Sequence, residues 1–166
     1  MPADLTTVLG RLLSDPALRA EFRRDPEATA RLLDADLSGL DPAELEHQAE
    51  TLVVKRFSEV SKILPCTIAL LGGDAERVFR AHAALFWPEG HRRHAEDAAA
   101  FGRFLEEREL PFRRSELNRL RFAIGRGRVA FRFVPDAWVG GRARRALQVL
   151  YRRRGAVRSV AIYLGF

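Results

Sequence analysis

The sequence predicts an α+β protein, in which an N-terminal multi-helix body precedes a small C-terminal antiparallel sheet of about three strands. Helix-capping signals and apolar stripes of helical spacing fill residues 1–125, whereas the stretch that follows alternates apolar and basic side chains. The chain has 166 residues, of which 47% are hydrophobic. That length and composition suffice for a buried core without disulfide bonds.

Asp-Pro dipeptides mark the helix starts of residues 1–40. An aspartate accepts hydrogen bonds from the first free N–H groups of a helix, and proline suits the first helical position. The dipeptides are Asp15-Pro16, Asp25-Pro26 and Asp41-Pro42. We therefore expect short helices over about Leu5–Ser14, Ala17–Arg24 and Glu27–Leu33.

Residues 41–125 are predicted to form the helical body. A long helix opens after Asp41 and carries an apolar stripe on one face until Pro65 ends or kinks it. His82 lies on the apolar face of a later helix, and we expect it to be buried and hydrogen-bonded to a neighbour. Two more helices are expected over about Arg93–Arg108 and Ser115–Ile124.

Residues 126–166 read as a basic antiparallel sheet that packs with the helices as one globular unit. Between Arg128 and Val134, apolar residues alternate with arginines. Further strands are expected over Ala146–Arg152 and Val157–Leu164, with a hairpin turn at Arg153–Ala156 and a loop at Gly140-Gly141. We expect the face with Val129, Phe131 and Phe133 to pack on the body, and the face with Arg128 and Arg132 to be exposed.

Positive charge is concentrated at the C-terminal end. Residues 112–166 contain fourteen arginines and two acids, whereas residues 1–111 carry a net charge of −6. Crowding like charges does not stabilise a fold, so the asymmetry predicts an anionic partner. The predicted peptide- or anion-binding residues are Arg128, Arg132, Arg142, Arg144, Arg145, Arg152, Arg153, Arg154 and Arg158.

No catalytic, metal or cofactor site is predicted. His91 and His94 have a spacing that could bind a metal on a helix, but the arginines between them disfavour a cation. Cys66 is the single cysteine, so an internal disulfide is excluded, and we expect it to be a small buried residue. No signal peptide or membrane span is recognisable, so the cytoplasm is the expected location.

A series of short motifs runs through residues 50–125. The motifs are Lys55-Arg56-Phe57 leading to Leu64-Pro65, Leu70-Leu71-Gly72, Val78-Phe79, Trp87-Pro88, Phe101 with Phe104-Leu105, and the helix at Ser115–Ile124. Their order resembles that of the small partner subunits of multinuclear iron oxidases in ribosomal-peptide natural-product biosynthesis, including the methanobactin partner subunit and relatives described as DNA-binding proteins. The resemblance implies a non-catalytic adaptor that docks an oxidase and presents the precursor peptide through its C-terminal strands.

The favoured hypothesis is therefore an accessory subunit that binds an acidic precursor or leader peptide and presents it to an iron-dependent oxidase. An edge strand can pair with the peptide backbone, and the arginines would set its register. Nucleic-acid binding by the same arginines is the alternative, although it would need exposed aromatic residues among them. A third class is an oligomerisation module that uses the edge strand to bind a second copy.

Overall fold

The computed structural model describes residues 4–139 and 142–163, and it confirms the α+β class. The helices are α1 (Leu5–Ser14), α2 (Pro16–Arg24), α3 (Pro26–Leu33), α4 (Pro42–Ile63), α5 (Pro65–Leu71), α6 (Ala75–Ala83), α7 (Arg93–Glu107) and α8 (Arg114–Ile124). A short 3₁₀ turn, Gly72–Asp74, joins α5 to α6. The strands are β1 (Val129–Val139), β2 (Arg142–Arg153) and β3 (Ala156–Tyr163).

Aspartate caps begin the first four helices, and the three Asp-Pro dipeptides predict the caps of α2, α3 and α4. The carboxylate of Asp15 accepts hydrogen bonds from the N–H groups of Ala17 and Leu18. Asp25 and Asp41 cap α3 and α4 in the same way, each with proline at the first helical position. Local sequence therefore determines where these helices begin.

The three short helices enclose an apolar cluster of their own. Phe22 and Leu12 lie at its centre and are fully buried, and Leu45 joins it from the start of α4. Each of these helices is too short to be stable in isolation, so burial against α4 holds them in place.

The larger core lies between α4, α6, α7 and α8. Phe79 and Phe101 are fully buried there, with ring centroids 5.3 Å apart in an edge-to-face arrangement. Gly102 allows α7 to approach α8 closely, because a Cβ at this position would overlap the buried side chain of Leu117. This approach fixes α8, the helix on which the sheet rests.

The sheet is an antiparallel meander in the order β1-β2-β3. Arg154 and Gly155 both have positive φ and form the two-residue turn between β2 and β3, which confirms the predicted hairpin. The β1–β2 register shifts between Val134 and Ala137. Pro135 lies in this irregularity, where a residue without an N–H group is tolerated. The predicted Gly140-Gly141 loop and Leu164 lie outside the described residues.

The expected orientation of the sheet is wrong. Val129, Phe131 and Phe133 are exposed, whereas Val134, Ala146 and Leu150 on the opposite face are buried towards α8. Alternation separates the two faces of a strand but does not say which face meets the body.

No helix among the described residues is both long enough and apolar enough to span a bilayer.

Candidate functional site on the C-terminal sheet

The outer face of the sheet is a continuous apolar surface. Val129, Phe131 and Phe133 of β1 are 53–61% exposed, and Val160 and Ile162 of β3 are about half exposed. Between them lie the half-buried β2 residues Leu147, Val149 and Tyr151, which pair across the sheet with these positions. Contiguous exposed apolar surface of this kind marks interaction sites in soluble proteins.

The nine predicted arginines do not share one face. Strand alternation and register divide them into three groups. Arg145, Arg153 and Arg158 belong to the outer face; Arg132, Arg142, Arg144 and Arg152 belong to the inner face; Arg128 and Arg154 flank the hairpin end of the sheet. The outer-face arginines therefore border the apolar surface, whereas the inner-face group lies on the face of the sheet that packs towards α8.

Arg152 has a structural role that the sequence analysis did not predict. Its Nε donates to the carbonyl of Gly127 at 3.0 Å, and its Nη2 lies 2.5–2.9 Å from the carbonyls of Phe122, Ala123 and Gly125. Its guanidinium also lies over the Phe122 ring. These carbonyls belong to the end of α8, where backbone acceptors lack helical partners. Arg152 therefore links the sheet to α8, and these N–H donors are not available to a ligand.

The other predicted arginines keep their charge uncompensated within the described part of the chain. None of the nine forms an ion pair with a carboxylate that the structure describes. Among the described residues, the carbonyl of Phe131 is the hydrogen-bond acceptor of Arg132. By contrast, arginines of the helical body such as Arg80 and Arg121 bind glutamates. The border of the apolar surface is therefore suited to negatively charged groups.

Strand β3 forms one edge of the sheet. It pairs with β2 on one side, and the described residues contain no strand on its other side. Beneath the sheet, between its inner face and α5 and α8, lies a cleft of about 430 Å³. Ser159 and Ala161 of β3 line this cleft together with Arg119 of α8. An extended segment added to β3 would thus meet the apolar face on one side and the cleft on the other.

Cys66 lines the same cleft and is exposed, so the expectation of a buried cysteine is wrong. The carboxylate of Glu116 accepts hydrogen bonds from the N–H groups of Cys66 and Thr67, and so caps the start of α5 from another helix. The negative charge of Glu116, with burial as a smaller contribution, raises the pKa of the Cys66 thiol. A raised pKa reduces the thiolate fraction that nucleophilic or metal chemistry requires.

A buried polar cluster in the helical body was not recognised from the sequence. Arg56 donates from Nε and Nη2 to the two carboxylate oxygens of Asp97, each at 2.9 Å, and from Nη2 to the carbonyl of Phe86. His82 is 2% exposed, and its Nε2 lies 3.0 Å from Asp97. His82 is therefore buried and hydrogen-bonded, as predicted. Arg56 lies four residues before Val60 on the apolar stripe of α4. A basic residue on an apolar stripe is the feature of the sequence that could have indicated a buried charge.

Asp97 is ionised in this cluster. Burial alone would raise the pKa of its carboxyl group, but the hydrogen bonds from His82 and Arg56, helped by the charge of Arg56, lower the pKa below its ordinary value of 3.8. His91, just before α7, and His94, in its first turn, are the pair considered for metal binding and do not belong to this hydrogen-bonded cluster. In the described ranges no group of three or more histidine, cysteine, aspartate or glutamate side chains is placed to hold a metal ion.

Comparison with known protein families gives one match. The family model described as "SCO6045-like, C-terminal domain" matches residues 21–107, which is just over half of the chain. The matched segment contains the Arg56–Asp97–His82 cluster and ends before α8 and the sheet. Comparisons with curated proteins and with solved structures find no significant match.

Proposed function

We propose that this chain, which belongs to the SCO6045-like C-terminal domain family, is a non-catalytic accessory subunit that binds an acidic precursor or leader peptide. In this proposal the C-terminal sheet holds the peptide in an extended conformation and presents it to a modifying enzyme, an iron-dependent oxidase. The observation that carries the proposal is the exposed apolar outer face, which is bordered by arginines and adjoins the free edge of β3.

The geometry of β3 indicates what such a peptide would contain. A strand paired with β3 would place alternate side chains beside Arg158, Val160 and Ile162 on the outer face. An acidic residue beside Arg158, followed at every second position by apolar residues, fits this face. The intervening side chains would lie over the cleft lined by Ser159 and Ala161, where small or polar residues fit.

The oxidase as partner rests on the resemblance of residues 50–125 to the iron-oxidase partner subunits. Charge also supports a second contact surface away from the peptide, because residues 1–111 carry a net charge of −6 and would not compete for an acidic peptide. The proposal places the protein in the cytoplasm, where a ribosomally made precursor meets its modifying enzyme. A neighbouring gene for an iron oxidase and a short cysteine-containing reading frame would support this partner, and their absence would contradict it.

Peptide binding can be tested by fluorescence anisotropy with a labelled peptide that repeats Glu-Ser-Val-Ser-Val-Ser, so that glutamate and valine lie on one side of the extended chain and serine on the other. We expect saturable binding. The triple variant Arg153→Ser/Arg154→Ser/Arg158→Ser should weaken it roughly tenfold, since each exposed ion pair contributes up to about 1 kcal/mol. Arg152 stays unchanged in this variant because its loss would loosen the sheet from α8.

The matched control is Arg24→Ser/Arg77→Ser/Arg103→Ser, which removes the same charge from exposed positions on the helices. This control should bind the peptide like the unchanged protein. If the two triple variants lose the same peptide affinity, the loss is due to net charge alone, and a binding site on the sheet is contradicted. Phe131→Ser should also weaken binding if the apolar face contacts the peptide.

Nucleic-acid binding remains a second candidate because of one observation. Phe131 and Phe133 are exposed beside the arginines of the outer face, and exposed aromatic rings are what single-stranded nucleic acids use for base stacking. The salt dependence separates the candidates. A labelled oligothymidylate bound by the arginines should lose affinity with a log–log slope of about 0.7 per phosphate neutralised, whereas the peptide slope should be shallower.

Self-association through the outer face is less favoured. Two copies stacked on this face would bring Arg145, Arg153 and Arg158 near their equivalents, and like charges at an interface disfavour association. Sedimentation velocity at low salt should therefore find a monomer, and a dimer abolished by Phe131→Ser would favour the oligomerisation class instead.

A further inference from the structure

A small pocket lies on the helical body beside the buried guanidinium of Arg56, and no residue of the sheet lines it. Its volume is about 100 Å³. Leu52, Trp87 and Pro88 form an apolar wall, and the remaining lining residues are Lys55, Arg56, Arg93 and His94. The described residues that line this pocket thus include four basic side chains and no carboxylate.

One nitrogen of Arg56 lacks a partner. The Nε and Nη2 edge of the guanidinium is taken up by Asp97 and by the carbonyl of Phe86. The Arg56 side chain is only 8% exposed, so Nη1 is buried, and it forms no hydrogen bond with any described residue. A buried donor without an acceptor costs about 1–3 kcal/mol, so an acceptor that reached Nη1 would remove this penalty.

The start of α7 adds to the positive potential of the pocket. Arg93 is the first residue of α7 and His94 the second, and this helix has no side-chain N-cap. The free N–H groups and the helix dipole make such an end favourable for an anion. Glu59 lies close enough for Lys55 and His94 to lower its pKa, but its main partner is Lys62. Glu59 is not among the residues that line the pocket.

The guanidinium is also held rigid. Its Cζ lies 5.2 Å from the Trp87 ring centroid and 5.7 Å from that of Phe79, while Asp97 fixes its plane. A donor fixed in this way loses little conformational entropy when it binds a ligand. The same Trp87 forms part of the apolar wall, so a ligand that reaches Arg56 would pass along its ring.

We propose that this pocket binds a carboxylate carried on a short apolar stem, with the carboxylate towards Arg56 and Arg93 and the stem against Leu52 and Trp87. The pocket volume corresponds to about three water molecules at their volume in the liquid, which suits a small carboxylate of this kind. This site is independent of the peptide-binding function proposed for the sheet. Loss of either would leave the other intact.

The test uses the fluorescence of Trp87 in the full chain. Trp138→Phe serves as the background, since the chain has two tryptophans. Butyrate, acetate, phosphate and chloride are titrated as sodium salts at constant ionic strength. We expect a saturable change with butyrate and weaker binding of acetate, by roughly fourfold for each methylene buried against the wall. Chloride should give no change.

Two pairs of variants locate the site. Lys55→Gln and Arg93→Gln should weaken butyrate binding about threefold or more, because each removes a charge that lines the pocket. Arg77→Gln, an exposed position in α6, and Arg103→Gln on the same helix as Arg93 should bind as the background does. Arg56 itself is left unchanged because its loss would leave Asp97 without its partner.

Several results would overturn the proposal. They are the absence of a saturable change, equal effects of butyrate and chloride, equal losses in the pocket and control variants, and tighter binding of phosphate than of butyrate. Arg80→Gln gives a further check, because Arg80 lines a different pocket that also borders Arg56. If Arg80→Gln weakens butyrate binding while Lys55→Gln does not, the carboxylate site assigned here is wrong.

Discussion

The helical body and the C-terminal sheet use phenylalanine and arginine in opposite ways. In the body, Phe101 is fully buried and Arg56 is held by Asp97 within the core. On the sheet, Phe131 is 61% exposed, and Arg158 has no carboxylate partner among the described residues. The same residue types therefore stabilise the fold in one region and remain available to a partner in the other.

This difference separates what folding requires from what binding requires. The body pairs the buried charge of Arg56 with Asp97, and a buried charge demands such a partner. The outer face of the sheet leaves apolar area in contact with water, where it contributes nothing to folding and would favour aggregation if it were uncharged. The arginines at its border oppose that self-association and prefer an anionic partner. Equivalent substitutions in the helical body and in the sheet can test whether a side chain contributes to folding or to binding.

The largest difference should appear between Phe101→Ala and Phe131→Ala. Removing a buried aromatic ring leaves a cavity, so Phe101→Ala should lower the free energy of unfolding by about 3–5 kcal/mol. Phe131→Ala should change it by about 0.5 kcal/mol or less, because the side chain is mostly exposed. Urea unfolding followed by circular dichroism measures both. A large loss in Phe131→Ala would mean that the outer face contributes to the core.

A similar loss is expected from the buried ion pair. Asp97→Asn leaves the Arg56 charge buried without its partner, so we expect a loss of about 3–5 kcal/mol in urea unfolding. The exposed pair between Arg77 and Asp74 is the control, and Asp74→Asn should cost about 1 kcal/mol or less. Similar losses in the two variants would show that Asp97 is less isolated from water than the structure indicates.

The same carboxylate makes stability depend on pH. The pKa of Asp97 is lower in the folded chain than its ordinary value of 3.8, so its contribution is complete above that value and is lost as pH falls through the folded-state pKa. The stability difference between the unchanged protein and Asp97→Asn should accordingly narrow as pH falls below about 4. A constant difference across the acidic range would contradict the ionised state.

An intermediate effect is expected from the contact that joins the two regions. Arg152→Gln removes the hydrogen bonds to the carbonyls at the end of α8, and we expect a loss of about 1–3 kcal/mol. Arg153→Gln, one residue away on the outer face, should change stability by about 0.5 kcal/mol or less. If the two variants unfold alike in urea, the sheet does not depend on Arg152 for its attachment.

The smallest difference concerns two helical glycines. Gly102→Ala would force a methyl group into the buried side chain of Leu117, and overpacking of this kind costs about 1–3 kcal/mol, partly offset by the better helix propensity of alanine. Gly10→Ala in α1 meets no atom within 4 Å, so it should stabilise by about 0.5–1 kcal/mol. Thermal unfolding should shift in opposite directions. A higher unfolding temperature in both variants would mean that α7 and α8 can move apart without loss of stability.

Much of the fold was predictable because its signals are local. The Asp-Pro dipeptides placed the starts of α2, α3 and α4 to within a residue. The change of apolar period after residue 126 identified the sheet, and Arg154-Gly155 marked its hairpin. Each of these signals acts within one turn of helix or one pair of strands. Neighbouring residues alone are therefore enough to read them.

The candidate site was predicted only in its composition. Charge counting found the arginine-rich region, but neither charge nor alternation could say that Arg152 would turn inward to α8 while Arg153 and Arg158 remained on the outer face. The exposed Phe131 and Phe133 were assigned to the core, because apolar residues that alternate usually face a core. An interaction surface and a core face have the same pattern in the sequence.

By itself, then, the amino-acid sequence determined the kinds of elements, most of their boundaries and the sign of the charge on the C-terminal region. Tertiary structure alone decided which face of the sheet meets water, and it brought Arg56, His82 and Asp97 together from three different helices. The reason is physical: caps, turns and periodicity depend on short-range contacts, whereas burial of a sheet face or a charge depends on segments distant along the chain.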